Sequence, residues 1–160
     1  MANTTEFSFW GEYEHAVDDK GRVVMPQEFR VPLGEEFVLT RGPDKAILVL
    51  PIPVWQQVEQ TIQGAVLQRQ TGFLQRMLGG RTFVRLDPQA RLGIPKHLRD
   101  WAGISQSQSA VIVGQGPKLE IWSKSVWDEF AGRFTYENLY DAAEAVGLAE
   151  KMGLESSALR

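Results

Sequence analysis

The sequence predicts a mixed α/β fold, mainly β, made of two pseudo-symmetric repeats that pack on each other. The first observation is a duplicated phrase, in which Asp, Arg, Pro and Arg follow one another every four residues at Asp18–Arg30 and again at Asp87–Arg99. The second is that short apolar segments bounded by Gly and Pro surround each phrase, as in strands joined by tight turns. A repeat of about 45 residues is too small to bury a core alone, so we expect both repeats to share one intertwined barrel.

The first repeat is predicted to contain four short strands and a helical turn. Tyr13 and His15 alternate with polar residues, the period of a half-buried strand. Asp18–Gly21 has Asp at the first and Gly at the fourth position, as type I turns prefer. After a returning strand at 22–25, Pro26 fits the first position of a short helix. The last two strands are residues 37–39 and 47–50.

The second repeat follows the same order. Its turn, Asp87–Ala90, has Pro88 at the favoured second position. Pro95 again fits a helix start after a strand at 91–94, and two strands at 110–113 and 119–122 follow. Ala90 stands where the first turn has a glycine, and alanine disfavours positive φ, so the second turn is expected to have a different shape.

Helices are predicted between and after the repeats. Apolar spacing over residues 54–78 indicates one or two amphipathic helices with a break near Gly64 or Gly72, ended by Gly79 and Gly80. Residues 126–134 are again helical, and a last helix is predicted from about Asn138 to Lys151.

Composition favours an ordinary cytoplasmic protein. Apolar content is 43%, cysteine is absent and the N-terminal residues lack a secretory pattern. No apolar run is long enough to span a membrane. The net charge is −3, but residues 81–127 carry seven basic and three acidic side chains, while residues 128–160 carry the reverse. This distribution permits DNA binding without arguing for it.

No catalytic site, metal site or cofactor is predicted, and the chain is not expected to be an enzyme. The two histidines, His15 and His97, occupy unequal places in the repeats and lack a ligand pattern. Asp18 and Asp19 share a turn, where aspartates usually cap the backbone. No phosphate-binding or nucleophile motif occurs.

The turn residues are the candidate binding residues. An Asp before a tight turn can orient the Arg just after it, leaving a planar guanidinium ready for phosphate or guanine. This points to Arg22 and Arg91 as DNA contacts, oriented by Asp18 and Asp87. The residues at the turn tips are Lys20 and Gln89, of which only Lys20 adds a charge. The alternative, that each Asp–Arg pair merely joins its hairpin, is equally compatible with the spacing.

The order of these motifs resembles the bacterial MraZ family over most of residues 11–130. The matching segments are Gly11–His15, Asp18–Arg22, Phe37–Gly42, the helix of Trp55, Asp87–Arg91, Ile94-Pro95, Leu98-Arg99, Ala102-Gly103, Val113-Gly114 and Glu120–Trp122.

The resemblance implies two SpoVT-AbrB repeats, at 11–57 and 81–125, in a swapped-hairpin β-barrel, with a helical connector at 58–80 and a helical tail at 126–160. It also implies a nucleoid-associated transcription regulator of the division and cell-wall gene cluster. Its partners would be double-stranded DNA with repeated promoter sites and further copies of itself, assembled in a ring.

The second turn departs from the family motif, since Pro88, Gln89 and Ala90 replace the Asp, Lys and Gly of the first. We therefore expect Arg22 and Lys20 to contribute more to DNA affinity than Arg91 and Gln89. Two other functions remain open from the sequence: a ring-forming protein-interaction scaffold and an antitoxin-like module. An antitoxin would need a disordered tail to wrap its toxin, whereas residues 136–154 are predicted to be helical.

Overall fold

Short antiparallel strands and one short helix per repeat form the architecture, as the alternating pattern predicts. The structure, a computed structural model, describes residues 7–65 and 69–156, without the side chains of residues 69 and 70. The described strands are β1 (Glu12–Ala16), β2 (Arg22–Val24), β3 (Phe37–Arg41), β4 (Ile47–Pro51), β5 (Thr82–Val84), β6 (Arg91–Gly93), β7 (Ser109–Gly114) and β8 (Leu119–Ser123). The helices are α1 (Gln27–Leu33), α2 (Ile52–Gln63), α3 (Arg69–Leu78), α4 (Lys96–Ala102), α5 (Lys124–Ala131) and α6 (Tyr136–Ala145), with a 3-10 turn at Pro43–Lys45.

The two repeats exchange strands. One sheet has the order β1-β7-β8-β4-β3-β5 and the other pairs β2 with β6. The first strand of each repeat therefore pairs with the third strand of the other, and the two second strands pair together. Replacing every strand by its equivalent in the other repeat reverses the six-strand order, so a pseudo-two-fold axis passes between β4 and β8 and between β2 and β6.

The main core is built by both sheets and both short helices. Val23 of β2 and Leu92 of β6 are almost fully buried. They belong to the same apolar cluster as Leu39, Ile47, Ile112 and Ile121 of the larger sheet and Phe29 and Leu98 of the helices. Burying such a side chain contributes roughly 1.5–3 kcal/mol. Neither repeat could gather this cluster alone, which confirms that the two share one core.

Each short helix begins directly after its proline. Pro26 and Pro95 occupy the N-cap positions of α1 and α4, one residue earlier than predicted. Their φ angles of −52° and −56° suit a helix start, while their extended ψ angles keep them outside it.

The connector contains two helices. α2 ends at Gln63, just before Gly64, and α3 runs through Gly72 to Leu78, so the break lies on the Gly64 side. The Gly79-Gly80 pair follows α3 as predicted. The buried residues of α2, Val54 and Trp55, belong to a second, smaller apolar cluster.

The described residues form two compact units that divide between Lys124 and Ser125. In the second unit α6 ends at Ala145, which corrects the predicted end near Lys151. Gly147 follows with a φ of +74°, a left-handed conformation that stops a helix. A capping box between Thr135 and Asn138 starts α6.

The chain after α6 folds back within this unit. The Tyr136 hydroxyl donates to the carbonyl of Glu155 at 2.7 Å and accepts from its N–H at 2.9 Å. Across the described ranges, every helix is too short or too polar to cross a bilayer.

Candidate nucleic-acid interface

The first predicted turn closes a hairpin that Asp18 organises. Its Oδ1 accepts hydrogen bonds from the backbone N–H groups of Lys20 at 2.9 Å and Arg22 at 2.8 Å. Its Oδ2 accepts from the Arg22 Nε at 2.7 Å. The backbone N–H of Gly21 donates to the Asp18 carbonyl at 3.0 Å, and Gly21 has a φ of +74°. One carboxylate thus fixes both the turn and the guanidinium.

The second hairpin repeats these bonds. Asp87 accepts from the N–H groups of Gln89 at 2.9 Å and Arg91 at 2.8 Å, and from the Arg91 Nε at 2.7 Å. Ala90 has a φ of +60°, so the prediction of a differently shaped second turn is wrong. The hydrogen bonds of Asp87 hold Ala90 in the left-handed conformation that alanine alone disfavours.

Strand pairing places the two hairpins side by side. In the β2–β6 ladder Arg22 lies opposite Gly93 and Arg91 opposite Val24. The Arg22 Nη1 lies 4.0 Å from the Asp87 Oδ2, so an ion pair crosses between the repeats. The four motif residues therefore form one cluster, although 69 positions separate their two halves in the chain.

The last arginine of each duplicated phrase belongs to the same surface, which the sequence interpretation missed. Arg30 donates through Nε to the carbonyl of Met25 at 2.9 Å, and Arg99 donates to that of Ile94 at 3.0 Å. A Cβ placed on Gly21 would lie 2.8 Å from the Arg99 guanidinium, so Arg99 packs against the first turn. The duplication itself was the available signal, because it kept Arg30 and Arg99 in register with the Asp–Arg pairs.

Both motif carboxylates are ionised at neutral pH. Burial acts to raise the pKa of Asp18, but the hydrogen bonds from Arg22 and Lys20 outweigh it and hold the pKa below its ordinary value of 3.8. The bonds from Arg91 and Gln89 do the same for the pKa of Asp87. Each arginine therefore has a charged partner that fixes its orientation.

The cluster is cationic and half exposed. The side chains of Arg22 and Arg91 are 26% and 32% exposed, and Lys20 and Gln89 are exposed at the turn tips. The two hairpins and the two arginines that pack beside them carry five cationic side chains, Lys20, Arg22, Arg30, Arg91 and Arg99, against three carboxylates, Asp18, Asp19 and Asp87. Such a surface can approach an anionic polymer.

The two histidines lie outside the hairpins, although His15 lines a pocket together with Arg30. His15 lies on β1, and the Nε2 of His97 hydrogen-bonds the carbonyl of Gly80 at 2.8 Å. Within residues 7–65 and 69–156, His, Asp and Glu residues are nowhere grouped so as to hold a metal ion.

Comparison with known proteins gives consistent matches. The family model described as "MraZ protein, putative antitoxin-like" matches residues 8–74 and 77–148. The chain is 38% identical over 146 residues to the transcriptional regulator MraZ of Moorella thermoacetica, covering 90% of this chain and 96% of that protein. It is 34% identical over 148 residues to that of Acetivibrio thermocellus, with 91% and 97% covered. For Leuconostoc citreum the identity is 35% over 140 residues, with 86% and 96% covered.

Proposed function

The chain belongs to the MraZ family, and from that premise we propose that it is a sequence-specific DNA-binding regulator of the division and cell-wall gene cluster. Its relatives are named transcriptional regulators, which supports the same role for this chain. The observation that carries the proposal is the joined pair of hairpins, in which Arg22 and Arg91 lie close together on one cationic surface.

Each hairpin supplies one oriented guanidinium and one tip residue. Asp18 and Asp87 hold the Nε atoms of Arg22 and Arg91, which orients both guanidinium groups. The Arg91 Nη2 also donates to the Gln89 Oε1 at 3.2 Å, so phosphate or a guanine edge would compete with Gln89 for that nitrogen, whereas Lys20 makes no such bond to Arg22. Lys20 adds a phosphate contact at the first tip, whereas Gln89 offers only an uncharged amide there.

Assembly would provide the remaining affinity. We propose that the two sheets form a swapped-hairpin barrel and that several copies join in a ring, aligning their hairpins toward repeated promoter sites. One hairpin pair covers little of the DNA, and linking several pairs raises the effective affinity by about 10²–10⁴ when the sites are suitably spaced. The domain division at 11–57, 58–80, 81–125 and 126–160 and the nucleoid location belong to the same proposal.

A gel shift with the DNA upstream of the chain's own gene tests the hairpins. Arg22→Ala is expected to abolish binding and Arg91→Ala to weaken it less, because the second tip lacks a lysine. Arg133→Ala removes an exposed arginine that pairs with Glu129 outside the hairpins, and it is the matched control expected to bind normally. Undiminished binding by Arg22→Ala, with unchanged circular dichroism and assembly mass, would reject the proposal.

The antitoxin-like alternative is favoured only by the family description. A toxin-wrapping tail would be disordered in isolation, but α6 carries a full capping box and Tyr136 ties the chain down at Glu155. Chromatography on a duplex-DNA column distinguishes a regulator from a protein-interaction scaffold. A regulator is retained and elutes with a steep dependence on salt concentration, whereas a scaffold is not retained.

A further inference from the structure

A groove of about 500 Å³ opens beside the C-terminal half of α3, and none of its lining residues belongs to the two hairpins. Pockets that bind small molecules usually measure roughly 300–1,000 Å³ and are mostly apolar. The turn between β3 and β4 forms one wall and α4 contributes Trp101. Besides Pro43 of that turn, the apolar side chains of its lining are Leu48, Phe73, Leu74, Met77, Leu78 and Trp101.

Two cationic side chains lie over the Trp101 ring of this lining. The Lys45 Nζ is 3.9 Å from the centroid of the Trp101 ring, and the Arg41 Cζ is 5.8 Å from it. The Trp101 Nε1 donates to the carbonyl of Ala46 at 3.0 Å, which fixes the ring. Asp44 is the one carboxylate among the lining residues. The groove thus combines an apolar floor with a local excess of positive charge.

The turn that places Lys45 is strained. Asp44 and Lys45 have φ angles of +56° and +67°, two successive non-glycine residues in the left-handed region. The corresponding turn of the second repeat uses Gly116, with a φ of +71°, and its lysine, Lys118, directly follows Pro117. Of these two corresponding turns, only that of the first repeat holds non-glycine residues in the left-handed region. Strained backbone is common at ligand-binding sites, so this difference supports a binding site beside Lys45.

We propose that this groove binds a small amphipathic anion. Its hydrocarbon or aromatic body would cover Phe73 and Leu74, which are 65% and 44% exposed. Its carboxylate or phosphate would lie between Lys45 and Arg41, where both charges are already held in place. A second copy of the chain suits the groove less well, because charged residues are depleted at the centre of protein interfaces. No hairpin residue takes part, so binding of an anion in this groove does not depend on whether the hairpins bind DNA.

Binding can be measured on the full chain by the fluorescence of anilinonaphthalene sulfonate, an aromatic anion of suitable size. We expect one dye molecule per chain, displaced by decanoate or decyl phosphate. Decanol has the same chain without the charge and is expected to compete at least about tenfold more weakly, since it loses a charge-assisted hydrogen bond. The tighter of the two anions identifies the head group. Equal competition by decanol would overturn the assignment of the cations.

Two variants locate the site. Lys45→Gln changes an exposed side chain and is expected to weaken decanoate binding about tenfold, while Lys118→Gln, which removes the lysine of the corresponding turn in the second repeat, leaves it unchanged. Phe73→Ala is expected to weaken decanoate and decanol alike. Equal affinities for Lys45→Gln, Lys118→Gln and the parent would reject the proposal. A smaller assembly by light scattering for Phe73→Ala, with dye binding retained, would instead identify a second copy as the occupant.

Discussion

The first and second hairpins share the three hydrogen bonds of their Asp carboxylate but have different residues at the fourth turn position. Only in the second does the Arg also donate to the tip residue, from the Arg91 Nη2 to the Gln89 Oε1 at 3.2 Å. In the first, Gly21 has a φ of +74° and lies under the Arg99 guanidinium. In the second, Ala90 has a φ of +60° and carries a methyl group. Corresponding Asp-to-N–H and Asp-to-guanidinium distances are identical in the two turns.

This difference shows that the residue at the fourth position meets two separate requirements. One is the left-handed backbone of the turn, and the other, in the first hairpin alone, is space for the Arg99 guanidinium. The Asp carboxylate accepts three hydrogen bonds in each hairpin. Together with the backbone bonds that join Ala90 to the Asp87 carbonyl and to the Met25 N–H, these bonds hold even alanine in the left-handed region. Glycine is required at position 21 for a second reason, the close approach of Arg99. The tips differ too, because Lys20 is charged and Gln89 is not, so equal geometry does not mean equal affinity for DNA.

Gly21→Ala tests most directly whether the first turn tolerates the alanine that the second turn contains. The new Cβ would meet the Arg99 guanidinium at 2.8 Å. We expect a loss of about 2 kcal/mol in the free energy of unfolding, from the left-handed φ together with the displaced arginine. Urea denaturation measures the loss. If Gly21→Ala unfolds at the same urea concentration as the parent, Arg99 moves aside freely and the second reason for glycine disappears.

Exchanging the tip residues tests whether the two hairpins differ in their contribution to DNA affinity. Lys20→Gln gives the first hairpin the tip of the second and is expected to reduce affinity several-fold. It should lower the slope of log K against log salt by about 0.9 for each phosphate that Lys20 neutralises in the parent. Gln89→Lys should change both quantities in the opposite direction. Filter binding over a salt series measures them, and an unchanged slope for Lys20→Gln would mean that the tip does not touch phosphate.

Ala90→Gly measures how much the left-handed backbone of Ala90 destabilises the fold. Glycine adopts positive φ without the Cβ penalty but loses more backbone entropy on folding, so we expect a net gain of about 0.5–1 kcal/mol in stability. The melting temperature, read by circular dichroism, should rise by a few degrees. A lower melting temperature would show that the Ala90 methyl group contributes packing that outweighs the strain.

The smallest expected effect is a pH dependence. The pKa of Asp87 is lower in the folded protein than its ordinary value of 3.8. Its ionised form therefore stabilises the fold above pH 3.8, and this contribution is lost as the pH falls through the folded-state pKa. The stability difference between the parent and Asp87→Asn should narrow below that pH. Asp18→Asn should behave alike; a constant difference for either variant would contradict the ion-pair account.

Much of the local structure was predictable from the residues. Asp18 and Asp87 at turn starts, and Pro26 and Pro95 at helix starts, act on backbone groups within a few positions of themselves, so their effect is visible in the sequence. The end of α6 was misplaced because apolar spacing continues past Ala145, while the left-handed Gly147 ends the helix.

The sequence by itself determined that there are two repeats, where most of their strands and turns lie, and which Asp holds which Arg, because these depend on short-range hydrogen bonding and sterics. It did not locate β5 (Thr82–Val84). Only the tertiary structure decided that β1 pairs with β7 and β3 with β5, that Arg22 approaches Asp87, and that Arg99 covers Gly21. Those interactions join residues far apart in the chain, and they form because neither repeat can bury its apolar face without the strands of the other.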